Sequence, residues 1–337
     1  MSSAEVKNCR EVSRSGGITG LGVYLPKKVM TNADLEKLVD TSDEWIKTRT
    51  GISERRIADP SEVTSDLAAK AAIEALKDAK LAPQDVELIM LATITPDMQF
   101  PATSCFVQAK IKAVHAACFD INAACSGFIH GLVLAQQFIA SGTYNNILVI
   151  GVELLSRFVD WKDRSTCVLF GDGAGAAVVA PVKQGGIISS YLGSDGNKSD
   201  LLMFPAGGSR MPASQKTVSD GMHYLKMQGN EVFKSAVRVM AEASRRALTG
   251  AKLTPEDIDC VIPHQANVRI IEAVIERVGI PMEKVFINVN KYGNMSAASI
   301  VVALYEAVKE GRVKKGDNIL MVAFGSGFVW GSCVIKW

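Results

Sequence analysis

Cys125 stands in Phe119-Asp-Ile-Asn-Ala-Ala-Cys-Ser-Gly-Phe, where a short strand-like run gives way to small residues and then to a helix-forming stretch. The thiol therefore falls at or near a helix start. Backbone N–H groups there have no intrahelical partner, and the helix dipole is positive at that end. Both effects favour thiolate, the nucleophilic form. Ala123, Ala124, Ser126 and Gly127 leave room for a substrate to approach. His264 follows a strand-like run that ends at Pro263, and strand carboxyl ends are where open α/β sheets bind ligands. His115, His130 and His223 lack that placement. Asn294 lies in Tyr292-Gly-Asn-Met-Ser-Ala-Ala-Ser, a segment that repeats the strand, small-residue and helix plan around Cys125. Asn is also a favoured helix N-cap, and both roles can hold at once. A thiol, an imidazole and an amide on one cleft make a covalent acyl-transfer set.

Strands and helices must hold these three residues together, and the chain alternates the two. Residues 18–24, 86–93, 119–122, 146–151 and 174–180 read as strands, while 65–80, 126–141 and 229–248 read as helices. That alternation builds α/β layers. The chain also repeats itself. ALKDAKLAPQDVELIML begins at position 75 and ALTGAKLTPEDIDCVIP at position 247, an offset of 172 with seven of seventeen positions identical. Asn146-Ile-Leu-Val-Ile and Asn318-Ile-Leu-Met-Val keep that offset, and Phe170-Gly-Asp-Gly has a counterpart in Phe324-Gly-Ser-Gly. Two halves thus share one plan, with a boundary near residues 184–185. The repeat puts Asn294 within about three residues of the place Cys125 holds in the first half. Chain order Cys…His…Asn also matches a papain-like protease. The duplication and the missing protease signature around Cys125 argue against that reading.

Two glycine-rich stretches and one excursion complete the pattern. Residues 170–177 lead into a strand and not a helix, so the logic of a phosphate loop is missing. They read as a tight turn with close backbone packing. Gly325-Ser326-Gly327 occupies the equivalent turn, and its N–H groups can form half of an oxyanion hole. Residues 194–221, rich in Gly, Ser, Asp and Pro, have no counterpart in the first half. They read equally as a functional loop or as a surface insertion.

Composition excludes several classes. The chain has 337 residues, 48% hydrophobic and 21% charged, enough to bury a sizeable core. Its 37 Lys+Arg nearly balance 35 Asp+Glu, which speaks against nucleic acid as a partner. No apolar run reaches about 18 residues, so no membrane span is expected. Seven cysteines, widely spaced and without C-x-x-C, make neither a disulfide framework nor a zinc site. They fit a reducing, cytoplasmic compartment, with Cys9, Cys105, Cys118, Cys167, Cys260 and Cys333 expected as core residues. Polar residues 1–17 lack an apolar signal core and read as a disordered extension.

The ordered motifs resemble those of the bacterial β-ketoacyl-[acyl carrier protein] synthase III family of thiolase-like condensing enzymes. They are TNADLEKLVDTSDEWIKTRTGI at 31–52, AACSGF at 123–128, FGDGAGAAV at 170–178, GNEVFK at 229–234, PHQANVRI at 263–270, YGNMSAAS at 292–299 and FGSGFVWG at 324–331. The resemblance runs from about residue 18 to residue 337. It implies a thiolase-like α/β fold whose two duplicated halves, 18–184 and 185–337, stack as five layers, α-β-α-β-α. It implies that Cys125 takes an acyl group from acyl-CoA, and that malonyl-acyl carrier protein then loses CO2 and condenses with the acyl-cysteine. His264 and Asn294 would donate hydrogen bonds to the enolate, and the N–H groups of Cys125 and Ser326 would form the oxyanion hole. For CoA, the resemblance marks Trp45, Arg49, Thr50, Arg164, Gly229, Asn230, Phe233 and Asn267. It marks Phe100 and Phe324 for the acyl pocket, Phe100 reaching into the pocket of a partner in a homodimer. Lys234, Arg269 and Arg277 would form a basic patch for the acidic carrier protein. No metal, flavin or nicotinamide is implied, CoA thioester being the substrate.

Elementary chemistry agrees with that division. Loss of CO2 supplies the electrons of an enolate, so the site needs hydrogen-bond donors and no strong base. A non-decarboxylating condensation needs a well-placed base such as a carboxylate, and none is visible in the motifs. Intact Asn294 favours the decarboxylating initiator over a relative that passes acyl groups to another acceptor. Intact Cys125, His264 and Asn294 argue against an inert scaffold subunit.

Overall fold

The computed structural model describes residues 14–337. Nine strands form two sheets: β1 (Ser15–Tyr24), β2 (Leu88–Ala92), β3 (Ala117–Ile121), β4 (Ile147–Leu154), β5 (Asp172–Val182), β6 (Gly186–Ser194), β7 (Cys260–Pro263), β8 (Asn318–Gly325) and β9 (Val329–Lys336). The first sheet has the order β1-β5-β4-β2-β3 and the second β7-β8-β9-β6. In both, a parallel pair (β2 with β4, β7 with β8) is followed by an antiparallel one (β4 with β5, β8 with β9). The turn between Val182 and Gly186 separates the two sheets. The expected extension over residues 1–17 lies, for residues 1–13, outside the described residues, and Ser15–Gly17 belong instead to β1, paired with β5.

Residue alternation along the strands builds the layers. Leu88 and Met90 of β2 face a central core, and Ile89 and Leu91 face an outer one. Ile319 and Met321 of β8 face the same central core, and Leu320 and Val322 an outer one. Of the helices α1 (Asp43–Thr50), α2 (Thr64–Ala79), α3 (Thr103–Ile111), α4 (Gly127–Ala140), α5 (Gly229–Ala251), α6 (Val268–Val278) and α7 (Ala298–Lys309), the last six fill the layers, while Ile46 of α1 belongs to a separate cluster. α4 and α7 lie between the sheets, α2 and α3 outside the first, and α5 and α6 outside the second. The result is the five-layered thiolase-like arrangement α-β-α-β-α, in which strands buried on both faces read as continuous apolar runs. Gly151 shows how closely the layers approach: a Cβ there would stand 2.4 Å from the Ala297 carbonyl oxygen.

Three local expectations change. The glycines of residues 170–177 are not in a turn: Gly173 and Gly175 lie inside β5, and Gly175 gives space to Val301 of α7. Residues Val289–Tyr292, at the repeat position of β3, form a helical turn and not a strand. Among the cysteines expected inside, Cys167, Cys260 and Cys333 are buried, but Cys105 is exposed and Cys118 half-buried. Cys9 lies outside the described residues. Among those residues, no helix is long and apolar enough to cross a membrane.

Candidate active site

A cavity of about 480 Å³ is lined by residues from both halves, Cys125, His264 and Asn294 among them. All three are nearly buried, at 7%, 4% and 8% exposure. Each sits where the backbone turns sharply. Cys125 occupies a single 3-10 turn, Ala124–Ser126, between β3 and α4. Ala124 before it has φ of 45°, and Ser296, its equivalent at the repeat offset, has φ of 44°. Left-handed φ in non-glycine residues stores strain and clusters at functional sites. By the same offset Asn294 corresponds to Asn122 and not to Cys125. Gly325, at the end of β8, meets the nucleophile's turn: a Cβ there would lie 2.6 Å from the Cys125 nitrogen. Only glycine lets the second half approach the thiol this closely.

Hydrogen bonds fix the donors. The His264 backbone N–H donates to the Val322 carbonyl at 2.8 Å, holding the residue at the end of the β7–β8 pair. Its Nδ1 is buried without a partner. Gln265 clamps the following turn, donating to the Pro263 and Phe286 carbonyls at 2.9 and 3.1 Å. The Asn294 backbone pairs with the first half, donating to Leu169 at 2.8 Å and accepting from Gly171 at 3.1 Å. Its Oδ1 accepts from the Ser296 N–H at 2.8 Å. Asn294 is therefore not the N-cap of α7, which starts at Ala298 after Ala297. With Oδ1 occupied, the amide nitrogen is the group left to donate.

Electrostatics correct the expectation of a resting thiolate. Burial pushes the Cys125 thiol up to about 12, and the nearby Glu153 carboxyl adds to that rise. Burial also pushes His264 down to about 4. Desolvation is the largest cause in each case, because it disfavours either charged form. The resting pair at pH 7 is a neutral thiol and a neutral imidazole.

The other expected residues divide. Gly229, Phe233, Asn267, Phe324 and Ser326 line the cavity, whereas Asn230 is exposed and does not. Phe324 stacks edge-on against Phe328 with centroids 4.6 Å apart. The Ser326 hydroxyl donates to the Leu202 carbonyl. Asn267 joins the halves, donating from Nδ2 to the Arg49 carbonyl at 3.0 Å, while its Oδ1 caps α6 through the Arg269 N–H at 2.9 Å. The Arg164 guanidinium lies 5.3 Å over the Trp45 ring and donates to the Asp40 carbonyl at 2.7 Å. The side chain of Thr50 is buried and spent on α1, donating to the Ile46 carbonyl at 2.6 Å and accepting from the Ile52 N–H at 3.0 Å. Phe100 is 87% exposed and does not reach the cavity of its own chain. Arg269 lies near the cavity with its guanidinium over Phe233, and Lys234 is paired with Glu231 at 2.9 Å. Arg277 lies eight residues further along α6, about 12 Å away.

Several wall residues escaped the sequence reading. Leu202, Met203 and Phe204 of the 194–221 excursion line the cavity, joined by Leu225 and Met227 just beyond it. Of its two readings, the structure therefore supports the functional loop. Glu153 and Ser296 also went unnoticed. Their one visible signal is an acid inside an apolar strand and a serine within the Asn294 motif.

Comparison with known proteins agrees with this geometry. Residues 119–196 match the 3-oxoacyl-[acyl-carrier-protein] synthase III model, and residues 248–337 the C-terminal model of the same family. A β-ketoacyl-[acyl-carrier-protein] synthase III of Caldanaerobacter subterraneus is 60% identical over 98% of this chain and 99% of its own. One from Clostridioides difficile is 57% identical over 97% and 99%. The crystal structure of 3-oxoacyl-[acyl-carrier-protein] synthase III from Aquifex aeolicus superposes with a TM-score of 0.88 at 53% identity, covering 96% of this chain and 100% of that one. With its fold, its paired halves and its relatives in agreement, the chain belongs to the β-ketoacyl-[acyl-carrier-protein] synthase III family of condensing enzymes.

Proposed function

We propose that the enzyme condenses a short acyl-CoA, such as acetyl-CoA, with malonyl-acyl carrier protein, giving 3-oxoacyl-acyl carrier protein, CoA and CO2. This step starts fatty-acid synthesis. The observation that carries the reading is one buried cavity lined by Cys125 from the first half and by His264 and Asn294 from the second. Cys125 attacks the thioester and keeps the acyl group. The N–H groups of Cys125 and Ser326 hold the oxyanion. Malonyl thioester then loses CO2, and its enolate oxygen takes hydrogen bonds from the imidazole N–H and the Asn294 amide. A neutral imidazole has one N–H to donate, which suits this role at pH 7. Among the described residues, no carboxylate lines the cavity. That supports decarboxylation over proton abstraction.

The Trp45–Arg164 pair supports adenine binding, and Arg49 lies one turn further along α1. Trp45→Ala is expected to raise KM for acyl-CoA about threefold to tenfold with kcat little changed, the size of one aromatic stack. Steady-state kinetics with acetyl-CoA checks this. Lys234 and Arg269 at the cavity mouth fit an acidic carrier protein, with Arg277 at the rim of that patch. A homodimer is supported by the free edge of β3 and by exposed Phe100, Met98, Val114 and Phe119. Phe100 would then close the partner's acyl pocket and favour short primers. Six free cysteines among the described residues fit a reducing cytoplasm.

The test is direct. Purified enzyme with acetyl-CoA and malonyl-acyl carrier protein should release CO2 and form acetoacetyl-carrier protein, read by intact mass. Acetyl transfer to the carrier protein without CO2 would sink this reading in favour of an acyltransferase.

A further inference from the structure

Two of the described thiols meet outside the cavity. Cys105 on α3 is exposed, and Cys118 on β3 is half-buried. The Cys118 thiol donates to the Cys105 sulfur, with the two sulfurs 3.5 Å apart. Neither lines the cavity, and Cys118 packs on the outer core of the first sheet. Hydrogen bonds on both flanks of the pair hold α3 against β3. At the start of α3, the Thr103 and Ser104 N–H groups donate to the Asp120 carboxylate at 2.6 and 2.8 Å. Further along, the Gln108 amide donates to the Ala116 carbonyl at 2.9 Å. Asp120 and Ala116 each stand two residues from Cys118, on opposite sides. The backbones that carry the sulfurs are thus fixed on each flank, and side-chain rotation is the motion left. A disulfide needs its sulfurs about 2.05 Å apart. The Cys105 side chain faces solvent, so little packing opposes its turn toward Cys118. An exposed thiol beside a second thiol that can resolve it is the arrangement of redox-sensing cysteines.

We propose that Cys105 and Cys118 form a reversible oxidation site, which a small-molecule disulfide closes to an intramolecular disulfide clasping α3 to β3. Cys105, the exposed thiol, loses its proton to solvent and attacks one sulfur of the oxidant. A sulfur–sulfur bond to the small molecule forms as the oxidant's own sulfur–sulfur bond breaks, and one small thiolate leaves. Cys118 then loses its proton and attacks the Cys105 sulfur, 3.5 Å away at rest, expelling the second small thiolate. The two thiolates take up the two protons. Two protein thiols are oxidised to one disulfide, and the oxidant is reduced to two small thiols. A pool of reduced thiol runs the same exchange backwards. In a reducing compartment the bond is therefore transient and follows the redox state. The exchange draws on no residue of the cavity.

The experiment incubates the purified full-length enzyme with oxidised glutathione and reads intact mass and non-reduced peptide maps. Wild type should lose the mass of two hydrogens, with one cross-linked peptide pair joining residues 105 and 118. Adding a dithiol should restore the starting mass. Cys118→Ser should stop at the mixed disulfide, with one glutathione mapped to Cys105. In Cys105→Ser, residue 118 should react at least about tenfold more slowly than Cys105 does in wild type, because access governs thiol exchange. Each variant exchanges only sulfur for oxygen, and the wild-type measurement stands without either. Glutathione retained at Cys105 in wild type, without closure, would overturn the proposal. So would two thiols left unmodified. A disulfide joining Cys105 or Cys118 of two copies across the free edge of β3 would overturn it too.

Discussion

Cys125→Ala is expected to end acyl-enzyme formation. After incubation with acetyl-CoA the variant should keep its unmodified mass, while wild type gains one acyl group. The expected effect is total because, among the described residues, no other thiol lines the cavity. Cys167, Cys260 and Cys333 are buried elsewhere in the fold. Cys105 is exposed but lies on α3, outside the cavity and its oxyanion donors. Without those donors, thioester exchange at a surface thiol forgoes the largest single catalytic contribution. Peptide mapping of the wild-type adduct should therefore place it at residue 125. An adduct of equal size in Cys125→Ala would refute the assignment of the nucleophile. So would an adduct mapped to Cys105.

The second large effect separates the two half-reactions. His264→Ala and Asn294→Ala should each slow condensation about 10²–10³-fold, the usual loss for one preorganised oxyanion donor. Each should still form the acyl-enzyme, because the N–H groups of Cys125 and Ser326 remain. Mixing with malonyl-acyl carrier protein would then leave the adduct standing, with CO2 release reduced in step. Single-turnover mass measurements read both events in one sample. The geometry explains why neither donor replaces the other. Asn294 holds its amide by a 2.8 Å bond to the Ser296 N–H, and His264 hangs from the β7–β8 pair by a 2.8 Å bond to Val322. Each is fixed by a different element, so removing one leaves the other in place but alone on the enolate. Loss of adduct formation in both variants, with condensation of preformed acyl-enzyme intact, would reverse the roles proposed for them.

The sequence by itself determined the duplicated α/β plan and the three reactive residue types. Those features are local. Strand and helix periodicity depends on near neighbours, and the 172-residue offset is visible letter by letter. Strand ends and small-residue turns mark Cys125, His264 and Asn294 because each needs a particular backbone turn. Tertiary structure decided the rest. Local logic made Cys125 a thiolate at a helix start, yet burial from both halves makes it a neutral thiol. Desolvation sums over atoms from distant segments, so no window of sequence contains it. Thr50 sat in the right motif, but its hydroxyl is spent inside α1. Ser296 lines the same cavity as Cys125 although the two are 171 positions apart in the chain, because the turn before α7 packs against the first sheet, where a Cβ on Gly151 would stand 2.4 Å from the Ala297 carbonyl oxygen. The 194–221 segment shows no periodicity at all, and its place as a cavity wall follows from the surface it covers and not from any pattern of its own.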